Sequence, residues 1–214
     1  MTTTPTGVPQ VKISEWLRQG WDVFVSDVGM FLLASLLYTI LNGICLAGIV
    51  LFGPLTCGMY LMIFQRMRGG AAEVRLLFKG FDYFGNAFLA GLAFFVLWLL
   101  SLIITYAGMS CIIGAFLGVA LLVLIHTAFL FTFQLIGERG FGAGEAISTS
   151  WNKVRENLRE FLLFGLVLAL INLAGYAVML GWLITVPLTL CASAAAYQDV
   201  FGLEDVQAIE PVQS

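Results

Sequence analysis

The sequence predicts an all-α integral membrane protein: six transmembrane helices in three parallel repeats, each repeat an amphipathic interfacial helix followed by a transmembrane hairpin. Three observations predict it. Hydrophobic residues make up 60% of the chain and charged residues 11%, with a mean hydropathy of +0.97, far outside the range of soluble domains. Charges bound three charge-free runs, Val28 to Gln65, Tyr83 to Gly137 and Phe161 to Gln198. Each has room for two helices of about 17–19 residues crossing a hydrocarbon core of about 30 Å. Landmarks also recur. Asp27 precedes Phe31-Leu32-Leu33 as Asn157 precedes Phe161-Leu162-Leu163, Asn42 and Asn172 follow those phenylalanines at one interval, and Pro54-Leu55-Thr56 matches Pro187-Leu188-Thr189. Such self-similarity is the mark of an internal repeat.

In chain order, residues 1–10 have neither a basic start nor an apolar core and read as a disordered tail, not a cleavable signal. Residues 11–202 form a single membrane domain, with repeats at about 11–70, 71–140 and 141–202; residues 203–214 are an acidic disordered tail. In the first repeat, Ile13, Leu17, Trp21, Phe24 and Val28 are expected on the apolar face of an interfacial helix. A hairpin follows, turning in the Gly43–Gly48 region and stopped by Arg66, Arg68, Gly69 and Gly70. In the second, Val74, Leu77, Phe78, Phe81 and Phe84 are expected inward, the hairpin turns near Ala107-Gly108, and Glu138-Arg139-Gly140 ends it. This middle unit lacks the proline and matches the others only with gaps. In the third, Ile147, Trp151, Val154, Leu158 and Phe161 follow one helical face, with Lys153, Arg155, Glu156 and Arg159 opposite.

Two crossings per repeat return the chain to its starting side, so the repeats are parallel and a pseudo-threefold bundle results. All ten Lys and Arg fall in the tail, the amphipathic segments or the links between hairpins, and none in a hairpin turn. The positive-inside rule then places both termini and the three surface helices in the cytosol, and the protein in the cytoplasmic (inner) membrane. Arg66, Arg68, Arg75, Lys79, Arg139, Lys153, Arg155 and Arg159 form a basic collar on that side. It either contacts anionic lipid headgroups or a membrane protein partner, or serves only as a topology signal. Asn42, Gln65, His126, Gln134, Asn172 and Gln198 are polar side chains within or at the ends of the hairpins. They are expected to point inward, bonding a neighbouring helix or lining water.

Other functions find little support. The net charge of −3 traces to Glu204, Asp205 and Glu210 in the tail, and no basic stripe with exposed aromatics suggests nucleic acid. Cys45, Cys57, Cys111 and Cys191 make no C-x-x-C pair and the chain has one histidine, so no metal and no cofactor is expected. The cysteines read as small buried hydrophobes, with a Cys45–Cys111 disulfide on the non-cytosolic side as the alternative. The hairpins hold no Asp, Glu, Lys or Arg, and the sequence has no phosphate-binding loop, dinucleotide fingerprint or H-E-x-x-H, so no enzyme is expected. Gly114-x-x-x-Gly118 reads as a close helix contact.

Gly53-Pro54-x-x-x-Gly58, Arg68-Gly69 with Leu77-Phe78-x-Gly80-Phe81, Leu97-Trp98-x-Leu100, Glu145-Ala146-x-x-x-Ser150 with Asn157, and Pro187 with Tyr197 ahead of an acidic tail together carry a resemblance. Over roughly residues 11–202 the chain resembles a group of bacterial six-helix membrane proteins known as domains of unknown function. It is similar also to the membrane domain accompanying some glycerophosphodiester phosphodiesterases. The resemblance implies the fold and a cytoplasmic-membrane location, and no catalytic residue. Two functions are compatible with these readings: a non-enzymatic scaffold or accessory subunit that uses the collar, and a small transporter with a path between the six helices.

Overall fold

The computed structural model describes residues 11–43, 45–108, 112–178 and 180–203, with backbone alone at 45–47, 112, 113 and 115. The expected N-terminal tail, nearly all of the acidic tail and the Cys45–Cys111 pairing lie outside the described residues. Every regular element among them is helical: α1 (Ile13–Val25), α2 (Val28–Asn42), α3 (Cys45–Met67), α4 (Arg75–Lys79) running into a 3-10 turn over Gly80–Tyr83, α5 (Phe84–Gly108), α6 (Ile112–Ala128), α7 (Thr132–Arg139), α8 (Ala143–Glu156), α9 (Leu158–Ala177) and α10 (Trp182–Phe201). Five spans are long and apolar enough to cross a membrane, as in a multi-pass membrane protein: Gly48–Met67, Arg75–Gly108, Phe116–Arg139, Leu158–Ala177 and Trp182–Phe201. The sixth rests on α2, whose 15 residues reach about 22 Å and which joins α1 at a bend of 94°.

Neighbours in sequence are neighbours in space. α2 packs on α3, α3 on α5, α5 on α6, α6 on α9, α9 on α10, and α10 returns to α2, closing a ring. Toward the charged end the axis is filled by α3, α7 and α10, where Leu55, Met59, Phe64, Phe131, Cys191 and Tyr197 are all at 0% exposure. Close backbone contact makes this packing tight. A Cβ on Gly58 would collide with the Leu77 carbonyl, one on Gly80 with the Pro54 carbonyl, and one on Gly53 with the Ala87 carbonyl. At the other end Gly114 would meet Gly108, and Gly118 would meet Thr105, so Gly114-x-x-x-Gly118 does bring α5 and α6 together.

The surface helices are rotated from the expected faces. In α1 the buried stripe is Trp16, Gly20 and Phe24, while Trp21 is 50% exposed. Gly20 decides this: a Cβ there would lie 2.5 Å from the Ala192 Cα, so the closest line of contact with α10 must run through the residue that has none. In α4 and the turn after it, Leu76, Leu77 and Gly80 are inward, whereas Phe78 and Phe84 are exposed. Phe78, Phe81, Phe84 and Phe88 instead stack along the outside at centroid spacings of 6.4, 6.3 and 5.9 Å. In α8 the stripe is Ala146, Ser150 and Val154, with Ile147 and Trp151 beside it, half-buried. Each contact line includes a small residue, Gly20, Gly80 or Ala146 and Ser150, at which the neighbouring backbone can approach.

The expected second helix of the middle hairpin is broken at residues 129–131. The Ser150 hydroxyl accepts from the Phe131 N–H at 3.2 Å and donates to the Ala128 carbonyl at 2.7 Å. Freed backbone groups in an apolar setting require such partners.

Candidate functional site

The eight cations of the expected collar divide into two sets. Arg66, Arg68 and Arg139 are braces. Arg66 Nε donates to the Ser26 hydroxyl at 2.8 Å, and its other nitrogens reach the Gly70 and Ser26 carbonyls at 3.2 Å, tying the end of α3 to the α1–α2 corner. Arg68 pairs with Glu138 on α7, whose side chain is 2% exposed. Arg139 donates to the Phe201 carbonyl at 2.8 Å and lies over its ring, joining α7 to the end of α10. A carboxylate as buried as Glu138 is tolerated because it is paired.

Of the other five cations, Arg75, Lys79, Arg155 and Arg159 face outward and Lys153 is half-buried. Arg75 pairs with Glu73, two residues before it, and is 77% exposed. Lys153 reaches Glu156 on its own helix at 2.9 Å. Lys79, Arg155 and Arg159 are exposed and have no hydrogen bond or ion pair among the described residues. Such exposed local pairs contribute little to stability, so this set is available to other groups.

Below this rim, a polar hub sits where α3, α7 and α10 meet. Gln134 Nε2 donates to the Ser193 hydroxyl at 2.7 Å and the Leu130 carbonyl at 3.2 Å. The Tyr60 hydroxyl donates to Ser193 at 3.4 Å, and Ser193 to the Leu130 carbonyl at 3.4 Å. Gln134 is fully buried, and its Oε1 has no hydrogen-bond partner among the described residues. Two free cysteines, Cys57 and Cys191, are buried here, Cys57 donating to the Phe133 carbonyl at 3.3 Å.

Each hairpin also carries a side-chain clasp. The Tyr38 and Thr56 hydroxyls meet at 3.1 Å across α2 and α3. The Ser101 hydroxyl donates to the Gly118 carbonyl at 2.9 Å across α5 and α6. Asn172 Nδ2 donates to the Thr189 hydroxyl at 3.1 Å across α9 and α10. Asn42, expected to bond across like Asn172, turns instead to the Tyr38 carbonyl of its own helix; the longer Tyr38 has taken over the bridge. Asn172→Leu is expected to cost about 0.6–2 kcal/mol, read from unfolding in mild detergent. Thr189→Val should add little to it if the two residues act as one pair.

The remaining expected inward residues differ. Gln65 is half-buried and donates to the Ala71 carbonyl at 3.1 Å, fixing the link after α3. Gln198 is exposed in a shallow cleft with Gln19, Asp22, Val23 and Met67, because α10 already extends into the charged rim at that point. His126 makes no hydrogen bond among the described residues: it is exposed, with its ring edge-on to Phe94 at 5.6 Å. Of the residues that organise the hub, Tyr60 and Ser193 were not expected. Their signal was the run Cys191-Ala192-Ser193-Ala194-Ala195-Ala196, since a line of small residues allows the close approach that a hydroxyl at its centre can use. No family model, curated protein or solved structure matches the chain.

Proposed function

We propose that this protein is a non-enzymatic scaffold or accessory subunit of the cytoplasmic membrane whose outward-facing rim cations bind anionic lipid headgroups. Its charged end and both termini face the cytosol in this reading, by the positive-inside rule. One observation carries it: Arg66, Arg68 and Arg139 are engaged in braces, whereas Arg75, Lys79, Arg155 and Arg159 remain exposed on or beside the surface helices. Topology needs only positive charge at this end, and a charge-only role does not account for that division. The exposed Phe78, Phe84 and Trp21 would occupy the headgroup boundary, where aromatic side chains gather.

Three parallel repeats belong to the same proposal. Each surface helix packs on the inner helix of the preceding unit, α1 on α10, α4 on α3 and α8 on α7. Trp16, Gly20, Phe24, Asp27, Phe31 and Asn42 stand at one constant offset from Ala146, Ser150, Val154, Asn157, Phe161 and Asn172. The corners share a backbone conformation, φ −156° and ψ 52° at Asp27 against φ −141° and ψ 58° at Asn157. The resemblance to six-helix membrane domains of unknown function supports the same architecture.

Replacing Arg75, Lys79, Arg155 and Arg159 with Gln, leaving the three braces intact, is expected to weaken association with anionic but not zwitterionic vesicles by about 1 kcal/mol per engaged charge. Co-flotation of nanodisc-held protein with vesicles measures it, with cysteine labelling from each side to verify topology. Undiminished flotation in correctly oriented protein would leave these residues as topology signals. The second reading, a transporter, is favoured specifically by the unbonded His126.

A further inference from the structure

We infer that the α2–α3 edge of the bundle holds a locally thinned bilayer and gathers phospholipids with short acyl chains, because the hairpins α2–α3, α5–α6 and α9–α10 rise to unequal heights from one level rim. At the rim their ends are tied together. Arg66 holds Ser26, just before α2, Arg68 pairs with Glu138, and Arg139 donates to the Phe201 carbonyl. Phe131 meets both Phe161, near the start of α9, and Phe201 at the end of α10, and Tyr83, just before α5, lies beside Gly140. From that level the ascending helices differ in length. α2 has 15 residues, α9 20 and α5 25, which is about 22, 30 and 38 Å of helix.

The packing register agrees. A Cβ on Gly48 would collide with the Asn42 carbonyl, so these residues mark the far end of the first hairpin. Gly53 of α3 lies against Ala87 and Gly91 of α5. The two helices are antiparallel, so Gly48, less than two turns on from Gly53, comes level with about residue 95. Exposure on α5 changes there: Val96, Leu97, Trp98, Leu99 and Leu100 are all exposed, whereas Ala87, Ala90 and Gly91 are buried. Beyond that level α5 packs on α6, through Ser101 against the Gly118 carbonyl and Gly108 against Gly114.

Two requirements fix how lipid meets this shape. The turn between α2 and α3 leaves the last carbonyls of one helix and the first N–H groups of the other without helical partners, and such groups need water or headgroups, not hydrocarbon. A hydrocarbon core of about 30 Å exceeds α2 by about 8 Å. The outer face of α5 presents Leu89, Leu92, Val96, Leu99 and Ile103 and must stay in hydrocarbon, so the bilayer cannot be thin all round. Thickness therefore falls from α5 toward α2, and short chains fill the thinner edge with less strain. The covering is lipid and not a second copy of the chain. Helix contacts in this protein run through Gly53, Gly91, Gly108 and Gly114, whereas the exposed face of α2 presents Leu33, Leu36 and Ile40, which keep another backbone at a distance.

The inference concerns chain length and not headgroup charge, so phosphatidylcholine tests it apart from the rim cations. Protein is placed in nanodiscs of equimolar dimyristoleoyl and dieicosenoyl phosphatidylcholine, with a chain-end diazirine carried first by one lipid and then by the other, and adducts are mapped by peptide mass spectrometry. The ratio of short-chain to long-chain adducts is expected to be about threefold higher on peptides around residues 33–40 than on those around residues 96–103. Equal ratios at the two places would overturn the inference. So would crosslinks between copies, from a benzophenone amino acid at Leu36, that increase as the bulk lipid lengthens, since the short edge would then be covered by protein.

Discussion

Gly58→Ala and Gly80→Ala are each expected to separate α4 from α3 and to destabilise the protein by about 3 kcal/mol or more, at or beyond the upper end of ordinary overpacking. The reason is what the added methyl would strike. At Gly58 it is the Leu77 carbonyl and at Gly80 the Pro54 carbonyl, backbone atoms that no rotamer change can withdraw. Either the two segments part, exposing Leu76 and Leu77, which are buried in their contact, or the chain does not fold. Gly85 and Gly144 are the internal controls, because nothing lies within 4 Å of a Cβ built at either. Gly144→Ala within α8 should be neutral or stabilising by up to about 1 kcal/mol. Unfolding in mild detergent, followed by circular dichroism against added dodecyl sulfate, would rank the four. Equal losses at Gly80 and Gly144 would mean that the close contact between α3 and the turn after α4 does not form.

This contact shows what the sequence makes legible. The charge-free runs and the alternation with charged segments are set by the cost of placing ions and free backbone groups in hydrocarbon, a cost local enough to read residue by residue. Span existence and helix type follow from it. Rotation about a helix axis does not. Periodicity in α1 points to Trp21, because a hydrophobic scale assigns Gly20 no preference, whereas the approach of α10 turns on Gly20 having no side chain at all. The break at 129–131 was hidden for a similar reason: no proline marks it, and Ser150, which satisfies its backbone, lies on another helix.

The candidate site was legible to a different degree. That the rim would be basic is a matter of counting; that Arg68 would pair with Glu138, and Arg139 cap α10, depends on which helix ends converge. Both arginines sit beside glycines that end helices, in Arg68-Gly69-Gly70 and Arg139-Gly140, and Gly69 and Gly140 have positive φ values of 85° and 65°. Those glycines turn the chain sharply and hold the preceding arginine over the bundle instead of out in the headgroups. Lys79, by contrast, runs straight into a 3-10 turn and stays outward. For these three basic residues, brace or outward cation goes with the turn beside each.

Trp16→Ala is expected to cost about 3–5 kcal/mol, as large-to-small changes at buried aromatics do, while Trp21→Ala, five residues along the same helix, should cost less than about 1 kcal/mol. Trp16 is 1% exposed, wedged against Phe161 at 6.1 Å and Phe164 at 5.1 Å, and its indole N–H donates to Asp199 Oδ2 at 3.1 Å. It therefore joins α1 to both helices of the last hairpin, so that the beginning of the described chain is fastened to its end. Losing it leaves a cavity bounded by two phenyl rings that cannot collapse, since both sit on α9, and removes the indole partner of Asp199. Asp199→Asn tests the second component alone and should cost less than the truncation, because the amide oxygen still accepts. If α1 merely floated at the interface, as a helix anchored by Trp21 would, the order would reverse and Trp21→Ala would release it first. Limited proteolysis between α1 and α2 reads this directly. Rapid cleavage is expected in Trp16→Ala protein, and wild-type resistance in Trp21→Ala.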